Sequence, residues 1–407
     1  MNRFGSKLAG SVVGRNKTIM YAKWGQTLNR LSAQSLYREL RCFNRSSPVI
    51  VRNGRQFINL ASNNYLGLAD DPRLISSARE ALEKYGLGAG ASPLVSGHLE
   101  VHEKLEAALA EFKGAEAALV FSSGYATNVG ILSALATPRD VIFLDALVHA
   151  SLHDGARLSG AEVRRYKHKD LDDLRRLIRN ASSVRGERIV VTDGVFSMDG
   201  DFAPLPELIE LCEEMNAILV VDDAHGTGIV GARGRGTAEY FGVEKRIPVQ
   251  IGTLSKAFGL QGGFVVGSKM LIDFIVNRAR SFIYSTAISP ILAAAALCAI
   301  EIVKEENWRR QSAQEHRAYL RKSLQEKGYE IKGELAAPML LIMLGEAEEA
   351  LKLASELENK GIFAPAIRPP TVPRGTSRIR LAPMATHSFE QIEKVVDAFP
   401  ECIKREI

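Results

Sequence analysis

From about Glu116 onward, the sequence alternates between short apolar runs that end in polar or glycine residues and longer segments whose apolar residues recur three and four apart. No other feature narrows the fold as far. Candidate strands at residues 118–121, 141–144, 162–166, 188–192, 217–221, 249–252 and 263–266 are separated by helical stretches such as 171–179 and 205–215. Apolar strands between helices predict an α/β fold with a mostly parallel sheet covered on both faces. After Ala287 the helical pattern lengthens, and from about Glu301 charged helices give way to strands near 339–343 and 377–381. That shift predicts a second, smaller α+β domain. The expected organisation is a basic leader and helical arm over 1–58, a large α/β domain over 59–290 and a small C-terminal α+β domain over 291–407.

Composition removes several classes. With 407 residues, 46% hydrophobic and 24% charged, the chain can bury a large core without disulfide or metal staples. Lysine and arginine (52) exceed aspartate and glutamate (47) too slightly to create a basic field for nucleic acid. Basic clusters such as Arg164, Arg165, Lys167 and Lys169 read as solvated surface. Cys42, Cys212, Cys298 and Cys402 lie far apart, without zinc or disulfide spacing, so a reducing, cytoplasmic setting is expected. The apolar stretch 291–300 falls short of the ~20 residues that span a bilayer and reads as a buried helix. No acidic residue precedes Glu39, whereas Arg3, Lys7, Arg15, Lys17, Lys23, Arg30 and Arg38 do. The leader is therefore an organelle-targeting segment, a stretch upstream of a true start at Met20, or a basic helix lying over the body.

Two motifs are decoys. Gly86-Leu87-Gly88-Ala89-Gly90-Ala91 fits G-x-G-x-x-A, but a helical stretch precedes it and Pro93 follows, the reverse of a dinucleotide site. It reads as a flexible loop beside a ligand or subunit boundary. His98 and His102 have the spacing of helix-borne zinc ligands, but Glu100 is misplaced for H-E-x-x-H and no third ligand is evident, so no metal is expected.

Ligands of parallel sheets bind beyond the carboxyl ends of the strands, which directs attention to the polar residues there. Gly252-Thr253-Leu254-Ser255-Lys256 places a lysine after an apolar strand, where partial desolvation lowers its pKa and suits it to Schiff-base chemistry. Val221-Asp222-Asp223-Ala224-His225 brings a carboxylate and an imidazole to the same sheet edge. An aspartate facing a lysine-held pyridinium is the recurring arrangement of pyridoxal phosphate enzymes, because the anion keeps the ring nitrogen protonated. Ser123-Gly124-Tyr125 supplies a turn opening a helix, suited to a phosphate, and His149 a flat ring able to stack on the cofactor.

These residues resemble the α-oxoamine synthases of the fold-type I pyridoxal phosphate enzymes, from about Leu31 to Phe399. The resemblance is carried by Ala61-Ser62-Asn63-Asn64-Tyr65-Leu66-Gly67-Leu68, Thr192-Asp193-Gly194-Val195-Phe196-Ser197-Met198-Asp199-Gly200, Asp222-Asp223-Ala224-His225-Gly226-Thr227-Gly228, Gly252 to Lys256, and Ala366-Ile367-Arg368-Pro369-Pro370-Thr371-Val372-Pro373. It implies a transferase in which Lys256 carries the cofactor, Asp222 pairs with its ring nitrogen, and His225 and Ser197 contact its ring oxygen. His149 would stack on the ring, and Gly124, Tyr125 and Thr253 would surround the phosphate, joined by Ser285 and Thr286 of a second subunit in a homodimer with shared sites. Lys256, His149, Asp222 and His225 form the implied catalytic set. Asn63 and Arg380 would hold an amino-acid carboxylate, and Arg38 and Thr371 the acyl substrate. Arg378 rivals Arg380, because residues two apart on a strand share a face.

The implied reaction joins L-alanine to a pimeloyl thioester, on coenzyme A or acyl carrier protein, releasing carbon dioxide and the thiol carrier. Glycine with acetyl-CoA on the same scaffold is the nearest alternative, and a non-catalytic scaffold subunit the alternative from another class, opposed by Lys256. One departure concerns Leu381-Ala382-Pro383-Met384, where Pro383 cannot donate to a sheet and the strand is expected to end. The acid-free leader lies outside the resemblance.

Overall fold

The computed structural model describes residues 7–44, 47–181 and 185–402. Arg3 of the basic leader lies outside them. Residues 1–58, expected as leader and helical arm, include a helix, Lys7–Ala33, and also a hairpin. In the hairpin, β1 (Val49–Arg52) pairs antiparallel with β2 (Arg55–Asn59). Asn53 and Gly54 make its two-residue turn with φ of 51° and 76°, the positive values that an Asn-Gly pair adopts at least cost.

The seven expected strands are present, with bounds within one residue of those read from the pattern: β3 (Ala117–Phe121), β4 (Val141–Asp145), β5 (Glu162–Tyr166), β6 (Arg188–Asp193), β7 (Ile218–Asp222), β8 (Val249–Thr253) and β9 (Gly263–Gly267). They form one sheet in the order β3-β9-β8-β7-β6-β4-β5. The β5-β4-β6-β7-β8 ladder is parallel, while β9 runs antiparallel to both β3 and β8. Both faces are covered. Leu119 and Phe121 pack into one core with the helices Gly124–Leu135, Leu171–Arg179 and Leu205–Glu214, whereas Ala118 and Val120 face a second core with Glu100–Lys113 and Pro290–Glu305. The stretch 291–300 lies in that last helix, where Ala293, Ala296, Ala299 and Ile300 are fully buried. No described helix is long and apolar enough to cross a membrane.

The C-terminal part is α+β. β10 (Ile331–Lys332), β11 (Leu340–Gly345), β13 (Ala366–Ile367) and β14 (Ser377–Leu381) form an antiparallel sheet in the order β10-β11-β14-β13. β12 (Ile362–Phe363) pairs parallel with β2, tying the N-terminal hairpin to this part of the chain. β14 ends at Leu381, before Pro383, as expected. In the large sheet, β4, β6, β7 and β8 end in Asp145, Asp193, Asp222 and Thr253. Four polar side chains thus reach one edge.

Candidate active site

Lys256 sits in a tight loop between β8 and β9, closed by Leu254 N–H donating to Gly262 O at 3.0 Å and Gly259 N–H donating to Lys256 O at 2.9 Å. Leu254, Ala257 and Phe258 are buried and anchor the loop. Gly259 has φ +71°, and a Cβ there would come within 2.4 Å of Ala69 N, so only glycine lets the loop lie against the end of the Asn63–Ala69 segment. Burial pulls the Lys256 amine down to about 8, against the opposing pull of Asp222 and Asp193 and with help from Arg380. Among the described residues, no carboxylate lies within ion-pair distance of its Nζ. A lysine so placed is a usable base near neutral pH.

Lys256, Asp222, His225, His149, Asp193, Asn128, Gly124, Tyr125 and Thr253 line one cavity of about 230 Å³. Asp222 is buried, its Oδ1 accepting Ala224 N–H at 3.0 Å and its Oδ2 accepting Asn128 Nδ2 at 2.6 Å. Asn128 Nδ2 also donates to Ser151 Oγ at 2.8 Å, which lies 2.7 Å from His149 Nδ1. One amide therefore ties the carboxylate to the imidazole. His149 Nδ1 also accepts Ser151 N–H at 3.3 Å, and burial lowers the ring's pKa. Burial, then the neighbouring Asp222, pushes Asp193 well above the usual carboxylate range. His225 is pushed well below the usual imidazole range by burial, Lys256 and Arg380, so it is neutral.

Part of the lining is a helix N-terminus. Ser123 Oγ accepts Ala126 N–H at 3.1 Å and caps Gly124–Leu135, which leaves the N–H groups of Gly124 and Tyr125 beside the cavity. A Cβ at Gly263 would lie 2.6 Å from Gly124 Cα, so that glycine is what lets the helix start rest on β9. Thr253 Oγ1 lies 2.7 Å from Ser255 Oγ, adding hydroxyls to the wall. Backbone donors, hydroxyls, a buried carboxylate and a lysine lining one cavity fit pyridoxal phosphate.

Other expected residues stand outside this cavity. Arg380 Nη2 donates to Tyr65 Oη at 2.9 Å and its Nε to Ser197 O at 3.0 Å. Tyr65 Oη lies 2.7 Å from His225 Nδ1 and 3.2 Å from Asn63 Oδ1, which links Asn63, Arg380 and Ser197 to the cavity through His225. Arg378 points the same way but is taken up by Asp199, at 2.8 Å. Arg380 has no carboxylate partner among the described residues, and that difference separates two arginines the strand alternation could not. Arg380→Ala is expected to raise the KM for the carboxylate-bearing substrate that the resemblance implies about 10²-fold, about 2.7 kcal/mol. Arg378→Ala is expected to cost about 2 kcal/mol of stability, with KM nearly unchanged. Steady-state kinetics and denaturant unfolding of both variants check the pair of outcomes.

Arg38 Nη2 donates to Thr371 Oγ1 at 3.1 Å, uniting two residues expected to serve one substrate. They line a second cavity of about 640 Å³ with Arg368. Thr371 also borders a cleft with Ala146, Leu147 and Val148, the residues leading to His149. Ser285 and Thr286 do not line the cavity of their own chain. The histidine decoy has structural work: His102 Nδ1 accepts Leu99 N–H at 2.9 Å, its Nε2 bonds Ile288 O at 2.8 Å, and His98 pairs with Glu106.

Sequence reasoning assigned no role to Asn128, Ser151, Asp193 or Tyr65. Asn128 follows Gly124 by one helical turn, and Asp193 ends a strand, so both carried a positional signal. Tyr65 stands inside a segment quoted for resemblance but carries no local signal of contact with His225.

Residues 55–399 match the family model described as aminotransferase class I and II. The chain is 46% identical over 378 residues to the 8-amino-7-oxononanoate synthase of Lysinibacillus sphaericus, covering 93% of this chain and 97% of that one. A Geobacter sulfurreducens protein of the same name is 47% identical over 374 residues, 91% of this chain and 95% of that one. Among solved structures, Sphingomonas wittichii serine palmitoyltransferase matches with a TM-score of 0.85 at 31% identity, over 98% of this chain and 97% of that one. The 8-amino-7-oxononanoate synthase of Francisella tularensis matches with a TM-score of 0.72 at 28% identity, over 84% and 96%. The layered sheet, the lysine loop and these likenesses agree: the chain belongs to the aminotransferase class I and II family, with the fold-type I architecture, and within it to the α-oxoamine synthases.

Proposed function

We propose that this enzyme joins L-alanine to a pimeloyl thioester, releasing carbon dioxide and the thiol carrier and leaving 8-amino-7-oxononanoate, a step of biotin biosynthesis. It is a pyridoxal phosphate-dependent acyltransferase. The reading of its substrates is carried by two guanidiniums without carboxylate partners among the described residues. Arg380 is buried behind the lysine cavity, where an amino-acid carboxylate would meet it, and Arg38 with Thr371 stands at the neighbouring cavity, where an acidic acyl chain would. The names of the relatives support the same pair of substrates.

Pyridoxal phosphate, when bound, supplies the electron sink that makes a carbanion at the amino-acid Cα accessible. Lys256 would hold it, with Asp222 at the ring nitrogen, His149 on the ring face, and Ser197 and His225 at the ring oxygen. Gly124, Tyr125 and Thr253 would surround the phosphate. The protein's own work is positioning and proton transfer. Arg380 and Asn63 fix the carboxylate, a bidentate task for which lysine lacks the fork. Freed when the amino acid's own amine takes its place on the cofactor, the Lys256 amine, which burial holds near a pKa of about 8, would take the proton from Cα and later return one.

Mass spectrometry of the product formed from a mixture of alanine, glycine, pimeloyl-CoA and acetyl-CoA tests the reading. The product of alanine and the pimeloyl group is expected. Dominance of the product of glycine and acetyl-CoA would assign the rival reaction.

The enzyme works, in this reading, as a homodimer with shared sites. Leu87, Leu94, Val95 and Tyr284 are exposed, and the loops that bear them are stitched together by Ser92 Oγ to Ile283 O and Ser289 Oγ to Leu87 O. This apolar patch adjoins Ser285 and Thr286, and a second subunit covering it would receive both at its phosphate site. Mixing Lys256→Ala chains with Ser285→Ala, Thr286→Ala chains is expected to restore up to about half of the activity per hybrid dimer, since one site of each hybrid carries no defect. Hybrids as inactive as either parent would place both residues in their own subunit's site. A cytoplasmic setting is supported by four cysteines that are all free.

A further inference from the structure

Tyr65 is buried, at 1% exposure, and residues assigned to two tasks meet on its hydroxyl: His225 at the cofactor ring, and Arg380 with Asn63 at the amino-acid carboxylate. We propose that Tyr65 is a positioning residue that fixes the tautomer of His225 and the pose of Arg380, and so couples capture of the amino-acid carboxylate to the hydrogen bond given to the cofactor ring. The proposal rests on the amino acid plus pyridoxal phosphate reading above.

Proton accounting supports it. A phenol has one proton and two acceptor sites. Arg380 Nη2 can only donate, so at 2.9 Å it occupies one acceptor site. The phenolic proton is left with two candidate acceptors, His225 Nδ1 at 2.7 Å and Asn63 Oδ1 at 3.2 Å, and in this proposal it goes to the imidazole, the shorter contact; a proton given to Asn63 instead would make His225 Nδ1 the donor. A neutral His225 that accepts at Nδ1 carries its proton on Nε2, and the other ring nitrogen is thereby made a donor. The same hydroxyl steadies the guanidinium that would grip the carboxylate. Tyr65 does not line the cavity, so its influence passes through these two side chains.

The surrounding charges favour this assignment. Lys256, Arg380 and His149 face His225 and disfavour its imidazolium form, while Arg380 and Arg317 face Tyr65. Arg317 is buried, with its Nη atoms on Ala313 O and Leu335 O and no carboxylate partner among the described residues. It adds positive potential to the place where the carboxylate would arrive.

Tyr65→Phe removes one oxygen and keeps the ring, so the test is made on the holoenzyme. Alanine affinity is read from the perturbation of the visible absorbance band without acyl donor, and the pH midpoint of the band is read without amino acid. The expected result is an alanine Kd weakened about tenfold or more, because a charged hydrogen bond is lost. The band's midpoint is expected to rise by about half a pH unit or more, since a donor that favours the deprotonated ring oxygen is no longer held in place. An unchanged value of either quantity would overturn the coupling. Nitrogen-15 NMR of the wild type gives a check that needs no variant: His225 is expected as the Nε2–H tautomer, and the Nδ1–H tautomer would overturn the proposal. Failure of alanine to perturb the wild-type band would instead count against the substrate reading, leaving the band's midpoint to judge Tyr65.

Discussion

Lys256→Ala is expected to lower turnover by at least ~10³-fold, about 4 kcal/mol of activation free energy, and to abolish the visible absorbance band of the holoenzyme. Among the described residues the lysine is the one amine lining the cavity, which it shares with Asp222, and no carboxylate lies within ion-pair distance of it. Nothing else in that cavity could both hold an aldehyde and move a proton at Cα. The fold is expected to survive, because the substitution removes a charge that burial already disfavours and leaves no polar partner stranded. Leu254, Ala257 and Phe258 keep the loop in place, so the melting temperature should move by only a few degrees. Absorbance spectra, steady-state rates and thermal unfolding of the purified variant check the three parts. A variant that kept the band would move the cofactor's attachment elsewhere.

Asp222→Asn is expected to slow the reaction about 10²-fold or more, about 2.7 kcal/mol, with a much smaller loss of cofactor affinity. An amide retains the shape and can still accept Ala224 N–H, but it carries no charge to keep a ring nitrogen protonated. Its own NH₂ would also confront Asn128 Nδ2, now 2.6 Å from Oδ2, unless one of the two amides turned over. The diagnostic measurement is exchange of the alanine Cα proton with deuterium, which isolates carbanion formation from the acyl-transfer steps. An unchanged exchange rate would remove Asp222 from its assigned role.

How much of this was legible in advance depended on whether the deciding interaction was local. The seven strands of the large sheet were readable because their apolar runs and the polar residues that end them are properties of a few consecutive residues. Gly124, Asp222, Thr253 and Lys256 followed at once, since a parallel sheet delivers its strand ends to one edge. The β1–β2 hairpin was missed although Asn53-Gly54 is a strong turn signal, because the alternation around it is short and its stabilising partner, β12, lies about 300 residues further on.

By itself the sequence determined the layered α/β fold, the strand-end constellation and the chemistry that a lysine, an aspartate and a capped helix can offer together. Only the tertiary structure tells Arg378 and Arg380 apart, because both leave the same face of β14 and differ in what waits there: Asp199 for one, Tyr65 and the carbonyl of Ser197 for the other. It also shows the contacts of Asn128 and Tyr65. Tyr65 meets Arg380 across 315 residues of chain and His225 across 160, and no periodicity or local propensity encodes which two distant side chains a folded core brings within 3 Å of each other.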